Sequence, residues 1–230
     1  MSGKYVTETI GTDAHEITRA ARILRDGGLV AVPTETVYGL AARADNDEAV
    51  SRIYSAKGRP DFNPLIVHVA SLELARKLAD FSDVAEKLAA EHWPGPLTLV
   101  LPRRRDAGLA EAVTAGLETV AIRMPSHAVM RALLEESGLP IAAPSANRSG
   151  FISPTSTAHV LASLDGRIDA VIDGGMCEKG LESTIAAVRA DGSVVVLRPG
   201  PILLAASATD EKNIEAPGQL ASHYAPGKPV

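Results

Sequence analysis

Two short runs without a charge, Leu29-Val30-Ala31-Val32 and Leu65-Ile66-Val67, bound a segment crowded with hydroxyls, cations and amides, and His68 follows the second run directly. Runs of that kind suit strands buried inside a sheet. The polar residues between them then fall in the loops leaving the strands, which is where binding and catalytic groups are usually carried. A candidate site at strand ends is the first expectation.

The rest of the chain reads as alternating helices and strands. Asp13, with Glu16 three residues on, has the spacing of a capping box, and Ile17, Ala20, Ala21 and Leu24 share a helical face before Gly27-Gly28 stops the helix. Asn46 caps a second helix that turns Val50, Ile53 and Tyr54 inward and ends near Lys57-Gly58. Further helices are expected at 72–79, 84–92, 128–136 and 157–164, and strands at 97–101, 120–123, 141–143, 170–172, 184–188 and 194–197. Trp93-Pro94-Gly95-Pro96 cannot continue a helix and turns the chain into the strand at Leu97. The pattern is α/β with mixed strand directions. It divides into a domain at 13–203 and a linker with a C-terminal arm at 204–230, where His223 and Tyr224 precede two prolines.

With 230 residues, 46% hydrophobic and 22% charged, the chain can bury one sizeable core. A formal net charge of −5 excludes a bulk polyanion binder, so any RNA contact must be local. The single cysteine, Cys177, excludes an internal disulfide framework and reads as an inert loop thiol. No apolar leader opens the sequence, and nowhere do about eighteen apolar residues run uninterrupted, so a cytoplasmic location without a membrane partner is expected.

Several constellations carry chemistry. Lys57 and Arg59 flank the end of a helix before Pro60, a placement that suits a phosphate and equally a helix C-terminus with a solvated neighbour. Asn63 before Pro64 is either a turn residue or an amide contact to a nucleotide. Thr34 and Thr36 place two hydroxyls on one wall if the backbone stays extended, with Glu35 pointing the other way. His68 sits in an apolar run, as a core histidine or a ligand group. Arg123 closes a strand that begins near Thr119, and its guanidinium wants a carboxylate, from a ligand or from within the chain. Small and hydroxyl residues around Ser145 and Asn147, followed by Ser153, permit close backbone approach to a phosphate or make an ordinary capping loop. Ser183 and Arg198 repeat the theme of polar groups at strand ends. No P-loop, dinucleotide fingerprint, nucleophile elbow or metal-spaced histidine pair is present. An enzyme of this composition works by positioning and by stabilising charge on a transferring group.

The strings PTETVYGL (33–40), KGRP (57–60), NPLIVH (63–68), WPGPLT (93–98), AIRMP (121–125), PSAN (144–147), ESTI (182–185) and LRPG (197–200), in that order, resemble the YrdC-type threonylcarbamoyl-AMP synthase family over about 17–202. The stretch 217–226 resembles the linker of the family's longer form, which continues into a further C-terminal domain. The resemblance implies an open twisted mixed sheet flanked by helices, with a positively charged concave binding face. It implies synthesis of threonylcarbamoyl-adenylate and pyrophosphate from L-threonine, bicarbonate or CO2 and ATP with Mg2+. A tRNA-modifying threonylcarbamoyl transferase complex would accept the product. Thr36, His68, Arg123 and Ser183, with Thr34 adjacent, match threonine-contacting positions. Lys57, Arg59, Asn63, Thr119, Ser145, Asn147, Ser153, Arg198 and Tyr224 match nucleotide-contacting ones, Lys57 and Arg59 carrying the catalytic charge stabilisation. No protein side chain is assigned to the metal. The competing expectations are a carbamoyl-adenylate-forming module of the hydrogenase-maturation type, which would bring zinc-finger-like cysteines, and a non-catalytic RNA-binding protein.

Overall fold

The computed structural model describes residues 6–60 and 62–204. Of the linker and arm read at 204–230, residues 205–230, Tyr224 included, lie outside the described residues. In chain order the elements are β1 (Glu8–Ile10), α1 (Ala14–Arg25), β2 (Val30–Val32), β3 (Gly39–Arg43), α2 (Asp47–Lys57), β4 (Ile66–His68), α3 (Leu72–Leu78), α4 (Asp83–His92), β5 (Leu97–Pro102), α5 (Glu111–Thr114), β6 (Thr119–Arg123), α6 (Ala128–Ser137), β7 (Ile141–Ala142), α7 (Thr157–Leu164), β8 (Ala170–Ile172), β9 (Thr184–Val188) and β10 (Val194–Arg198).

The helix starts follow from side-chain caps. Asp13 accepts from the Glu16 backbone at 3.0 Å and Asn46 from Ala49 at 2.8 Å, satisfying donors the first helical turn leaves open. Only half of the expected capping box forms, because the Glu16 carboxylate turns to Arg19. Gly58 ends α2 in the left-handed region at φ 60°, which places Lys57 and Arg59 on either side of a sharp turn.

The strands make one ten-stranded sheet in the order β1-β8-β2-β3-β7-β4-β6-β5-β9-β10. Directions are mixed, as the sequence suggested: β4 runs parallel to β6 and β5 to β9, while β2–β3, β3–β7, β7–β4 and β6–β5 are antiparallel. β1, β3 and α5 were not expected. β3 opens on a glycine and has no β-branched residue, so its propensity is weak, and pairing with β2 and β7 on both sides imposes the strand.

How the helices are distributed decides where a ligand can go. One face of the sheet, with Leu40, Ala42, Val67, Leu99, Ile122 and Ala186, packs against α2, α3, α4, α5 and α7 in the largest core cluster. The opposite face is covered only in part. There, α1 and α6 pack on Ile10, Val30, Val32, Ala41, Ile141, Ala170 and Ile172. Beyond β7 the same face carries a small cluster of Ile66, Val100, Ala121, Ile185 and Ala187, which contains no helical residue. Ile141 and His68 are register partners, so the two clusters lie on one side of the sheet, helix-covered over one half and helix-free over the other.

Asn46→Ala removes the cap of the helix that delivers Lys57. It should lower stability by about 1 kcal/mol in urea unfolding; an unchanged midpoint would contradict the capping account.

Candidate active site

A cleft open to solvent lies against the helix-free half of the sheet, where Ile66 and His68 of β4 and Arg123 of β6 reach it. Thr34, Thr36, Arg59, His68, Arg123, Ser145, Ser183 and Arg198, all singled out from the sequence, line it together with Glu182. Alternation along the strands explains the gathering. Ile66 and His68 of β4 face the same way as Thr119, Ala121 and Arg123 of β6, and the register sets Ile66 beside Ala121 and His68 beside Arg123. Thr119 is outside the lining but stands on the same face, four residues and roughly 13 Å along β6 from Arg123.

Arg123 meets a carboxylate within the chain. Its Nη2 donates to Glu35 Oε1 at 2.5 Å, its Nη1 to Thr36 Oγ1 at 3.1 Å and its Nε to the Gly95 carbonyl at 3.2 Å. A guanidinium has five N–H groups, so this arrangement leaves donors for a second carboxylate while fixing the plane of the fork. Burial alone would push the Glu35 carboxyl up, but the charge and hydrogen bond of Arg123 outweigh it and hold it below the ordinary range. The loop from β2 bends over residues 35–37 rather than staying extended. The hydroxyls of Thr34 and Thr36 still share a wall, 2.8 Å apart, because Thr34 Oγ1 closes the bend by donating to the Val37 carbonyl. Glu35 is thereby aimed at Arg123 and at the Ser126 amide.

His68 is buried and its Nδ1 has no hydrogen-bond partner. Burial, and then the charge of Arg123, push its pKa down to about 3, so the ring is neutral near pH 7. The side-chain oxygens of Asn63 and Asn147 are likewise buried without a partner. Buried polar atoms are rarely left so. The two amide oxygens are acceptors, and the His68 nitrogen accepts or donates according to its tautomer.

Lys57 is 2% exposed and does not line the cleft. Its ammonium donates to the carbonyls of Ser145 and Asn147, both at 2.5 Å, and its own carbonyl accepts from the Ser149 amide at 2.9 Å. Lys57 therefore clamps the loop that presents Ser145. Burial, with the charge of Arg59 adding to it, lowers its pKa to about 7. Arg59 reaches into the cleft with Nη2 on the Pro64 carbonyl at 3.1 Å. Asn147 spends its amide N–H groups on the carbonyls of Arg148 and Phe151, so it shapes the same loop.

On the far wall, Arg198 donates to the Glu182 carboxylate, to the Ser183 carbonyl at 3.0 Å and to Ser183 Oγ at 3.0 Å. Glu182 also accepts from Ser153 Oγ at 2.6 Å. Gly200 makes this junction possible: a Cβ there would lie 2.4 Å from the Thr184 nitrogen and 2.6 Å from the Glu182 carbonyl. The sequence had not marked Glu35 and Glu182 as counter-ions of the two arginines, nor Thr98, whose hydroxyl is 2.8 Å from Ser183 Oγ. The alternation of Thr-Glu-Thr and the Glu next to Ser183 were the available signals.

Among the described residues no three His, Cys, Asp or Glu side chains are grouped to hold a metal ion, and no helix is long and apolar enough to cross a membrane. Residues 22–200 match the model of the Sua5, YciO and YrdC family, described as telomere recombination, and the chain belongs to that family. It is 49% identical over 240 residues to the threonylcarbamoyl-AMP synthase of Bacillus subtilis (strain 168), covering 98% of this chain and 68% of that protein. It is 46% identical to the threonylcarbamoyl-AMP synthase of Pyrococcus abyssi (strain GE5 / Orsay), covering 94% of this chain and 67% of the relative. The crystal structure of Sua5 from P. abyssi complexed with L-threonine superposes with a TM-score of 0.85 at 42% identity, over 96% of this chain and 69% of that one.

The buried neutral His68 makes stability depend on pH. Its folded pKa of about 3 lies below the ordinary 6.5, so the unfolded chain binds the extra proton. Its contribution is fully present above about pH 6.5 and is lost as the pH falls toward 3. Urea unfolding of His68→Gln against wild type across this window should show a shallower loss in the variant; parallel curves would contradict the assignment.

Proposed function

We propose that the cleft joins L-threonine, bicarbonate or CO2 and ATP into L-threonylcarbamoyladenylate and pyrophosphate. The observation that carries this reading is one helix-free sheet face holding an amino-acid-sized set, Arg123, His68, Thr36 and Ser183, beside a cationic set that includes Arg59 and Arg198. The relatives named threonylcarbamoyl-AMP synthase, and the related Sua5 complexed with L-threonine, support it.

The chemistry follows from what each group can do. The remaining N–H donors of Arg123 take the threonine carboxylate, and Glu35 keeps the guanidinium from turning away. The threonine hydroxyl bonds Thr36, Ser183 or the open nitrogen of His68. The threonine amine captures CO2 as a carbamate and gives up a proton. A carbamate oxygen then attacks the α-phosphorus, the new O–P bond forms, the bond to the bridging oxygen breaks, and pyrophosphate departs with that electron pair. No side chain becomes covalently engaged. Arg59 and Ser145, which line the cleft, face the phosphates, and Thr119 stands farther along the same sheet face from Arg123.

Glu35 and Glu182 are each committed to an arginine, so Mg2+ fits as a counterion carried on the triphosphate rather than as an ion held by these carboxylates. It supplies charge neutralisation for the polyanion. The cationic groups around the cleft do the same from the protein side, in a semi-enclosed space where charge is poorly screened by water. The threonylcarbamoyl group then passes to a tRNA-modifying transferase complex, and the reaction belongs to the cytoplasm.

Pyrophosphate release with ATP and bicarbonate should depend on L-threonine. Release that needs carbamoyl phosphate instead, or RNA binding with no release at all, would contradict the assignment. Arg59→Ala, which removes charge facing the phosphates, and Lys57→Ala, which unclamps the Ser145 loop, should each lower turnover by about 10²-fold or more; full activity in either would count against the roles given.

A further inference from the structure

Glu182 and Arg198 line two hollows at once. On one side is the cleft with Arg123 and His68, and on the other an adjoining hollow bounded by Ile152, Ser153 and Leu181. The pair is a partition, with a side-chain relay running through it. Ser153 Oγ donates to Glu182 Oε1 at 2.6 Å, Glu182 Oε2 accepts from Arg198 Nη1, Arg198 Nη2 donates to Ser183 Oγ at 3.0 Å, and Ser183 Oγ lies 2.8 Å from Thr98 Oγ1. The backbone under the relay has no slack, because Gly200 is packed against the amide and carbonyl groups of residues 182–184 closer than any Cβ would allow.

We infer that Glu182 is a positioning residue that couples the two substrates: nucleotide bound against Ser153 and Arg198 orders the Ser183 hydroxyl and so tightens the binding of threonine. The inference rests on the functional reading above and deepens it. The physical basis is that ordering a shared network is a cost met once. The ligand that arrives second finds the carboxylate, guanidinium and hydroxyl already oriented. Linkage makes the effect reciprocal, so threonine must tighten nucleotide binding by the same factor. A carboxylate is needed at 182 because its two oxygens serve two donors at once, Ser153 on one and Arg198 on the other. An amide puts one oxygen and one NH2 in those two positions, so it keeps one acceptor there, loses the charge opposite Arg198 and obliges Ser153 to accept rather than donate.

The test is calorimetric titration of the full chain with L-threonine, with and without saturating α,β-methylene ATP and Mg2+, bicarbonate being omitted so that nothing reacts. In wild type the threonine Kd should fall by about five-fold or more when the nucleotide analogue is present. In Glu182→Gln the two Kd values should approach each other, whatever happens to each affinity alone. Equal Kd values in wild type would overturn the coupling, and so would a variant that binds both ligands more weakly but keeps the wild-type ratio, since that is the signature of a merely structural residue. Should Glu182→Gln fail to fold, Thr98→Val gives the same readout: it keeps the buried volume, removes the hydroxyl that orients Ser183, and should lower the ratio. Wild type that binds neither ligand overturns the functional reading and the coupling together, whereas binding of both without coupling overturns only the latter.

Discussion

A buried guanidinium is tolerated only where a carboxylate and further acceptors surround it, and this protein meets that condition twice on the half of its sheet that lacks helices. Arg123 is held by Glu35, Thr36 and Gly95, and Arg198 by Glu182 and Ser183. Breaking such a pair leaves an uncompensated charge and typically costs about 3–5 kcal/mol, whereas the intact pair contributes little net stability. Two pairs of this kind are therefore poor value as structural glue and good value as fixed electrostatics. Each presents a positive fork in a set orientation to a cleft whose lining includes the apolar Val37, Ile66 and Ala143.

The rest of the fold can be read as what holds those forks in place. Helices on the far face pin β4, β5, β6 and β9 from behind, so side chains on the near face are free to meet a ligand. α1 and α6 cover the other half of the near face, and the loop from β2 bends across to bring Glu35 and Thr36 against Arg123. Lys57 acts from behind the lining by fastening the loop that carries Ser145. Neutral His68 beside Arg123 adds no second positive charge to that end of the cleft at neutral pH.

Much of this was legible before any coordinates. The caps at Asp13 and Asn46, the inward faces of the first two helices, and the spans of β8, β9 and α7 follow from local chemistry, and local chemistry is what a sequence displays. The residues facing the cleft were found because polar side chains at the ends of uncharged runs are conspicuous, and the family resemblance then sorted them. What could not be read were partnerships across the chain. Arg123 and Glu35 are separated by 88 residues and Lys57 and the Asn147 carbonyl by 90, and local patterning does not say which distant group pairs with which. The carbonyl partners of the Lys57 ammonium belong to a distant backbone, so its clamping contacts were not legible in the sequence. β3 was missed because its residues have weak strand preference and its pairing is decided by neighbours.

The central claim is that the helix-free sheet face seats an amino acid at Arg123 next to a nucleotide at Arg59 and Arg198. A crystal structure of the protein soaked with L-threonine and a non-hydrolysable ATP analogue tests it most directly. The account predicts the threonine carboxylate on the Arg123 guanidinium with Glu35 still in place, and the α-phosphate on the same face within reach of the threonine nitrogen. Threonine seated away from Arg123, or the two ligands in hollows that share no wall, would contradict it.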